Sequence, residues 1–317
     1  MDAVWKNNEM DDTVMPTPAQ ETRKGDASEA TQLSPASAAL NVLGTGAGRT
    51  TPQPFPHVLL PEALAPSVYA ELEQAFPTME TILAGRRVDA ENAAVRLSAM
   101  DVLANENIDR LWRDFFAFHG SADFWKAIVR VFGDEMRRAY PHLEGRVGRK
   151  LEDFRVGLRG TDQPADVKLE CQFVMNTPSS TTSSVKTPHV DKRQTVFSGL
   201  FYLRNANDVS EGGELELYRW KREPRFLTYR MILPRDVEHV TSVAYGSNTM
   251  IGFLNSAQAV HGVSPRGPSI VPRRYINLIA ELPFHLFAAP YMGVPARLWY
   301  WREAGRIRRR QVAGGEY

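Results

Sequence analysis

The chain carries a single cysteine, Cys171, among 317 residues, so no internal disulfide framework can hold it together, and a reducing compartment is expected. A small buried hydrophobe is the plain reading of that thiol. Neither sign of charge is in excess: 38 Lys and Arg against 37 Asp and Glu leave a formal net charge of +1, too little to steer the protein to nucleic acid or an anionic membrane. No run of 18 apolar residues occurs, and the opening MDAVWKNNEMDD lacks the charged-then-apolar order of a secretory signal. A soluble cytoplasmic protein without membrane or nucleic-acid partners is therefore expected. Heptads, internal repeats and Gly-rich phosphate loops are missing too. What is present is a 43% apolar share, ample for a core in a chain of this length.

Residues 1–53 are rich in Thr, Ser, Ala, Gly, Asp, Glu and Pro, with almost no periodic apolar pattern. Such a segment cannot bury enough surface to offset chain entropy, and a disordered tail is expected. Order should begin at PFPHVLL, where Phe55, Val58, Leu59 and Leu60 suggest a short buried strand. Val68, Leu72 and Phe76 then share a helical face, with Pro66 in the first turn and Pro77 as the stop. Ile108, Leu111, Trp112, Phe115 and Phe116 follow the amphipathic helix template up to Gly120. Ser121 can cap a third helix striped by Phe124, Ile128, Val131, Phe132 and Met136.

From about residue 152 the apolar period changes from 3.6 to 2. Phe154, Val156 and Leu158 alternate, and strand candidates recur at 167–176, 195–203, 213–220, 226–232, 248–254, 258–263 and 273–282. Helices followed by many short strands indicate an α+β, mainly β, class: a double-stranded β-helix (jelly-roll) barrel backed by an N-terminal helical layer. One domain is expected over 54–290, with the helical layer at 54–150 and the jelly-roll core at 151–290. A C-terminal extension with a basic end, 291–317, follows it.

One spacing carries chemistry. TPHVDKRQ sets His189 and Asp191 two apart, and His261 follows in QAVHGVSP, 70 residues beyond Asp191. Two-apart side chains of an extended strand project to the same side about 6.5–7 Å apart, so both can turn to one ion while Val190 points into packing. Two imidazoles and one carboxylate cap one face of an Fe(II) ion and leave three positions open for a co-substrate and oxygen. The plain alternatives are a polar pair at a surface strand end and a core histidine satisfied by backbone groups. Further on, VPRRYINLIAEL places two guanidinium groups at the mouth of an otherwise apolar strand. Burying Arg is costly unless it meets a carboxylate, which a dicarboxylate co-substrate or an internal Asp or Glu would supply. Alternation gives Arg274, Ile276, Leu278 and Ala280 one face and Arg273, Tyr275, Asn277 and Ile279 the other; parity does not choose between them.

HVD, SGLFYLR, GGELELYRW, HGVSP and RRYINL, with the opening PFPHVLLPEALAPSVYAELEQAFP, resemble the 2-oxoglutarate and Fe(II)-dependent oxygenase superfamily, in particular its prolyl 4-hydroxylase-like branch, over residues 54–290. The resemblance implies that His189, Asp191 and His261 ligate iron. It implies that Arg274, directly before Tyr275, grips the far carboxylate of 2-oxoglutarate, which puts Arg273 outward. Tyr202 shares that carboxylate, and Leu200, on the same face by parity, is a wall residue. Gln172 and Asn176 lie on the strand that lines the co-substrate pocket, with Asn176 where the branch often has Tyr; a strand amide facing solvent is the plain reading of each. The insert PSSTTSSVK before His189 is longer than usual, a lid or a loose loop. The implied cofactor is Fe(II), with 2-oxoglutarate and oxygen as co-substrates. The implied reaction hydroxylates a C–H bond of a small-molecule substrate and yields succinate and CO2. An Asp at the carboxylate position argues against halogenation.

Competing readings stand beside this one. Peptidyl proline could be the substrate, and desaturation, ring closure or epimerisation would use the same residues. Demethylases of alkylated nucleic acid place Arg two residues before the Asn of the last strand, where this chain has Tyr275 before Asn277. A cupin-like metal protein would use the triad without 2-oxoglutarate, and a binding module would keep it as a vestige. Glu214 and Glu216 read as a solvated strand face, and His57, His119, His142, His239 and His285 as structural. ARLWYWREAGRIRRRQ reads as a docked helix with a solvated basic end.

Overall fold

The computed structural model describes residues 39–44, 50–184, 186–226 and 232–288. Most of the expected tail, the strand candidate at 226–232 beyond its first and last residues, and the basic extension lie outside the described residues.

Ten strands and six helices follow in chain order among the described residues: β1 (His57–Leu60), α1 (Pro66–Gln74), α2 (Met79–Leu83), β2 (Ala94–Leu97), α3 (Ala99–Ala104), α4 (Arg110–His119), α5 (Ala122–Ala139), α6 (Leu143–Val147), β3 (Val156–Leu158), β4 (Val167–Asn176), β5 (Thr195–Leu203), β6 (Leu215–Trp220), β7 (Val237–Val243), β8 (Ser247–Leu254), β9 (His261–Val263) and β10 (Arg273–Glu281). The major sheet has the order β1-β8-β5-β10-β4-β2, with β3 beside β4; the minor sheet runs β7-β6-β9. Every pairing is antiparallel except β3 with β4. Non-consecutive neighbours in two facing sheets make this the double-stranded β-helix expected from the alternating pattern, backed by helices.

The helices form for local reasons legible in the sequence. In α4, Asp109 accepts from the Leu111 amide, and Trp112, Phe115 and Phe116 on one face are fully buried. In α5, Ser121 accepts from the Asp123 amide, and Phe124, Ile128, Phe132 and Met136 are buried. These faces cover one side of the major sheet, where Leu169, Cys171, Phe173 and Met175 of β4, Phe197 and Phe201 of β5, and Ile276, Leu278 and Ala280 of β10 join the same core. The Trp112 ring sits 4.8 Å from Phe173, and Phe116 lies 4.6 Å from it. Such aromatic pairs each stabilise by about 0.5–1.5 kcal/mol beyond their buried area. Trp112 also donates its indole N–H to the Leu72 carbonyl at 3.0 Å, tying α1 to α4.

Two differences from the sequence reading have physical causes. Leu40, Val42 and Leu43, inside the span expected as tail, are buried in the helix-side core, and Asn41 closes a turn by accepting from the Leu43 amide and donating to the Gly44 carbonyl. Three aliphatics in four residues anchor this turn, although the surrounding composition is polar. Strand β7 escaped notice because Glu238 to Ser242 are half-buried or exposed on an edge strand, which leaves no apolar alternation to read.

Glu170 of β4 is buried, and its carboxylate accepts the Ala99 amide at the start of α3 at 3.0 Å. Burial pushes its carboxyl up to about 7, against the opposing pull of the Ala99 N–H and Arg159. The folded state thus holds this proton more tightly than the unfolded chain does. Its contribution is fully present below pH 4.5 and is lost as pH rises towards about 7. Glu170→Gln, which keeps the acceptor, should therefore gain on the wild type by about 3 kcal/mol between pH 4 and pH 8. Denaturant midpoints of both proteins at the two pH values check this, and a constant difference would contradict it.

Candidate functional site

Residues 172, 174 and 176 of β4, 198, 200 and 202 of β5 and 275, 277 and 279 of β10 take the face opposite the helices, towards the minor sheet. The register pairs Ser198 with Ile279, Leu200 with Asn277 and Tyr202 with Tyr275, and across the other edge of β10 it pairs Asn277 with Gln172 and Arg273 with Asn176. Leu200, Tyr202 and Tyr275 there meet Leu215, Leu217 and Val243 of the minor sheet.

The backbone of His189 exchanges both hydrogen bonds with that of His261, each at 2.9 Å, so residues 72 positions apart become direct cross-strand neighbours. Their rings are 4.2 Å apart. His189 Nδ1 faces the Thr187 carbonyl at 2.8 Å and His261 Nδ1 the Ala259 carbonyl at 3.0 Å. Each Nδ1 must donate there, which leaves a lone pair on each Nε2. Both Nε2 atoms lie 3.7 Å from the same oxygen, Asp191 Oδ1, and His189 Nε2 is buried without a hydrogen-bond partner. Val190, between the two ligand candidates, is fully buried against Trp220, Phe226 and Val260, as the alternation required.

Electrostatics keep the three groups in ligand form. Burial, then the Lys186 charge and His261, drive the His189 imidazolium down to about 3, and burial lowers His261 as well. Burial alone would raise the Asp191 carboxyl; His261, Lys186 and His189 outweigh it and hold the group well below the usual carboxylate range. The triad is thus two neutral imidazoles and a carboxylate at neutral pH, a donor set for one divalent cation. Among the described residues it is the one group of His, Cys, Asp or Glu whose donor atoms gather within 4.8 Å. His57 instead turns Nδ1 to the Phe55 carbonyl, His119 to the Phe115 carbonyl of its own helix, and His239 meets Ser242.

The second feature of this face is a cation, and it is not the one the resemblance implied. Arg273 is 3% exposed, and its guanidinium lies 4.8 Å from the Tyr245 ring, 5.4 Å from Tyr202 and 5.5 Å from Tyr275. Its Nε has no hydrogen-bond partner, and no carboxylate among the described residues pairs with it. Arg274 points to the helices: it lies over the Phe76 ring, donates to the Leu203 carbonyl at 3.0 Å and pairs with Glu73 of α1 at 3.1 Å. The expected assignment of Arg274 to the pocket and Arg273 to the outside is therefore reversed. The cause is alternation. Ile276, Leu278 and Ala280 are fully buried in the helix-side core, so Arg274 must share their face, and Arg273 goes with Tyr275 and Asn277. An all-apolar triple alternating with Tyr, Asn and Ile was the available signal.

Tyr202 stands beside Arg273, fully buried, its hydroxyl pushed up to about 12 by burial against the lowering effect of Arg273. Gln172 and Asn176 are on this face as well, and neither faces solvent: Gln172 accepts from Asn277 Nδ2 at 3.3 Å, and Asn176 donates to the Asn92 carbonyl while its Oδ1 is left bare. Leu200 lines the wall between the triad and the arginine. Three residues were missed by sequence reasoning: Ser198, which donates to Asp191 Oδ2 at 2.6 Å; Tyr245, which accepts from the Arg274 amide at 2.8 Å; and Asn277. Parity from Leu200 and Tyr202 pointed to Ser198, whereas nothing local marked Tyr245. The long insert is pinned rather than loose: Ser180 and Ser179 bond Glu91, Asn92 bonds Ser183, and Ser179 and Ser183 bridge to Ser269 and Arg266.

No known family profile matches the sequence, and no curated protein does. Among solved structures the chain is similar to a prolyl 4-hydroxylase from Phytophthora capsici, with 15% identity, 80% of this chain and 68% of that one covered, and a TM-score of 0.40. It is similar to a Pseudomonas putida prolyl 4-hydroxylase at 15% identity, with 78% and 100% covered and a TM-score of 0.37. A non-heme alpha-ketoglutarate-dependent epimerase from nogalamycin biosynthesis gives 11% identity, coverage of 75% and 89%, and a TM-score of 0.42. No residue's role follows from scores of this size.

The opposite environments of the two arginines give opposite stability effects. Arg273→Met removes a buried charge that no carboxylate among the described residues neutralises, and should stabilise by about 1 kcal/mol or more. Arg274→Met breaks two hydrogen bonds and strands Glu73, and should cost about 1–3 kcal/mol. Thermal unfolding of the two variants checks the assignment with no assay of function, and equal shifts would refute it.

Proposed function

We propose that the chain is an Fe(II)- and 2-oxoglutarate-dependent dioxygenase that hydroxylates a C–H bond of a small-molecule substrate, with His189, Asp191 and His261 as the metal ligands. One observation carries the reading: a buried guanidinium with no carboxylate partner among the described residues lies on the same inner face as a two-imidazole, one-carboxylate donor set. Leaving such a charge unpaired costs several kcal/mol, a cost removed when a carboxylate ligand arrives.

The spacing supports a diacid. Ser198, bonded to Asp191, and Tyr202, beside Arg273, are four residues apart on β5, about 13 Å along the strand. The donor set and the guanidinium thus stand apart along one face, as the two ends of a diacid would require. When bound, the iron supplies oxygen activation coupled to oxidative loss of CO2 from the keto acid, chemistry that no side chain performs. The protein's residues do the rest. Arg273 takes the far carboxylate through paired N–H donors, and the Tyr202 hydroxyl, still protonated, donates to it. Leu200 and Tyr275 wall the diacid and keep water from it. His189 and His261, held by their backbone acceptors, present lone pairs rather than protons, and Gln172 and Asn277 supply an amide pair midway between the two ends.

Incubation with Fe(II) and labelled 2-oxoglutarate should release labelled succinate, and a screen of small molecules for products gaining one oxygen identifies the substrate. His189→Ala should lose turnover by at least about 100-fold, and Arg273→Met should raise the 2-oxoglutarate requirement by a similar factor, whereas Arg274→Met should leave it within about threefold when assayed well below its melting temperature. Metal binding without any need for 2-oxoglutarate would favour a cupin-like reaction, and a peptidyl-proline product would move the substrate class from small molecule to protein.

A further inference from the structure

Resting on the metal-centre reading above, we infer that Ser198 is a positioning residue that confines Asp191 to a single coordinating oxygen and so keeps a third site on the metal open. The two oxygens of a carboxylate are chemically equal, so only its surroundings decide which one meets the imidazoles. Ser198 is 5% exposed on the inner face of β5, and its hydroxyl donates to Asp191 Oδ2 at 2.6 Å, a short charge-assisted bond. The other oxygen, Oδ1, is the one that both histidine Nε2 atoms face at 3.7 Å.

Across the ladder Ser198 is paired with Phe253 and Ile279, which offer a carboxylate no donor. Lys186 approaches the other oxygen, Oδ1, at 3.6 Å through a side chain about half exposed. With Oδ2 engaged by Ser198, Asp191 would occupy one position on a six-coordinate ion, and the triad together three. Freed of that bond, the carboxylate can turn and chelate through both oxygens, which takes a fourth position and leaves two. A chelating keto acid would then fill both, with no place for oxygen.

Cobalt(II) titration of the metal-free full chain, followed by visible absorption, tests this without turnover, because the ligand-field bands report coordination number and carboxylate mode. Wild type and Ser198→Thr should bind alike, whereas Ser198→Ala should bind with a changed affinity and with bands shifted towards a higher coordination number. Should the alanine variant fail to fold, Ser198→Val set against Ser198→Thr isolates the hydroxyl at constant shape. Unchanged affinity and spectrum in Ser198→Ala or Ser198→Val overturn the inference while the metal centre stands, even if the metal-free variant melts earlier. Failure of the wild type to bind cobalt at the triad overturns the metal-centre reading itself, and this inference with it.

Discussion

Alternation along the major sheet is the constraint on which everything else in this protein depends. A strand has two faces, and a side chain that leaves one must take the other. The helical layer claims one face through Trp112, Phe115, Phe116 and Phe124, and fills it with Phe173, Phe201, Ile276 and Leu278. The remaining positions of the same strands are thereby committed to the space between the sheets, whatever their polarity. Ser198, Tyr202, Gln172, Asn176, Asn277 and Arg273 are there for that reason. Core packing and pocket chemistry are consequences of one register.

Several polar atoms of the inner face go unsatisfied among the described residues. Asn176 Oδ1, His189 Nε2 and Arg273 Nε are all buried without partners. A native interior satisfies such groups almost everywhere, and each one left without a partner costs stability. The charge pattern has a direction, with carboxylate and imidazoles at one end and a guanidinium with a phenol at the other. A molecule that is a metal chelator at one end and an anion at the other complements both ends at once. The electrostatics also fit the separation of the ends: Asp191 has His189, His261 and Lys186 around it, and no carboxylate among the described residues pairs with Arg273.

Much of this was legible in the chain before any coordinates. The bounds of β4 and β5 match the alternating runs, Ser121 caps α5 where the apolar stripe begins, and His189, Asp191 and His261 converge as their spacing suggested. These succeeded because each depends on a period or a local motif. The edge strand β7 and the anchored turn at Leu40 to Leu43 did not, since one has an exposed polar centre and the other is too short to shift a compositional average. The orientation of the arginine pair failed for a different reason. A strand register has two solutions, and the motif resemblance selected the wrong one.

The sequence by itself determined the period of each segment, the caps, the class of fold and the donor set of two imidazoles and a carboxylate, because those are written in residue types at fixed short distances. Only the tertiary structure decided which arginine faces the pocket, that Ser198 holds Asp191, that Tyr245 clasps the backbone of Arg274, and that Glu73 of the first helix neutralises Arg274. These pairings join positions up to 201 residues apart, and the parity of a strand acquires a meaning only when something packs on one of its faces.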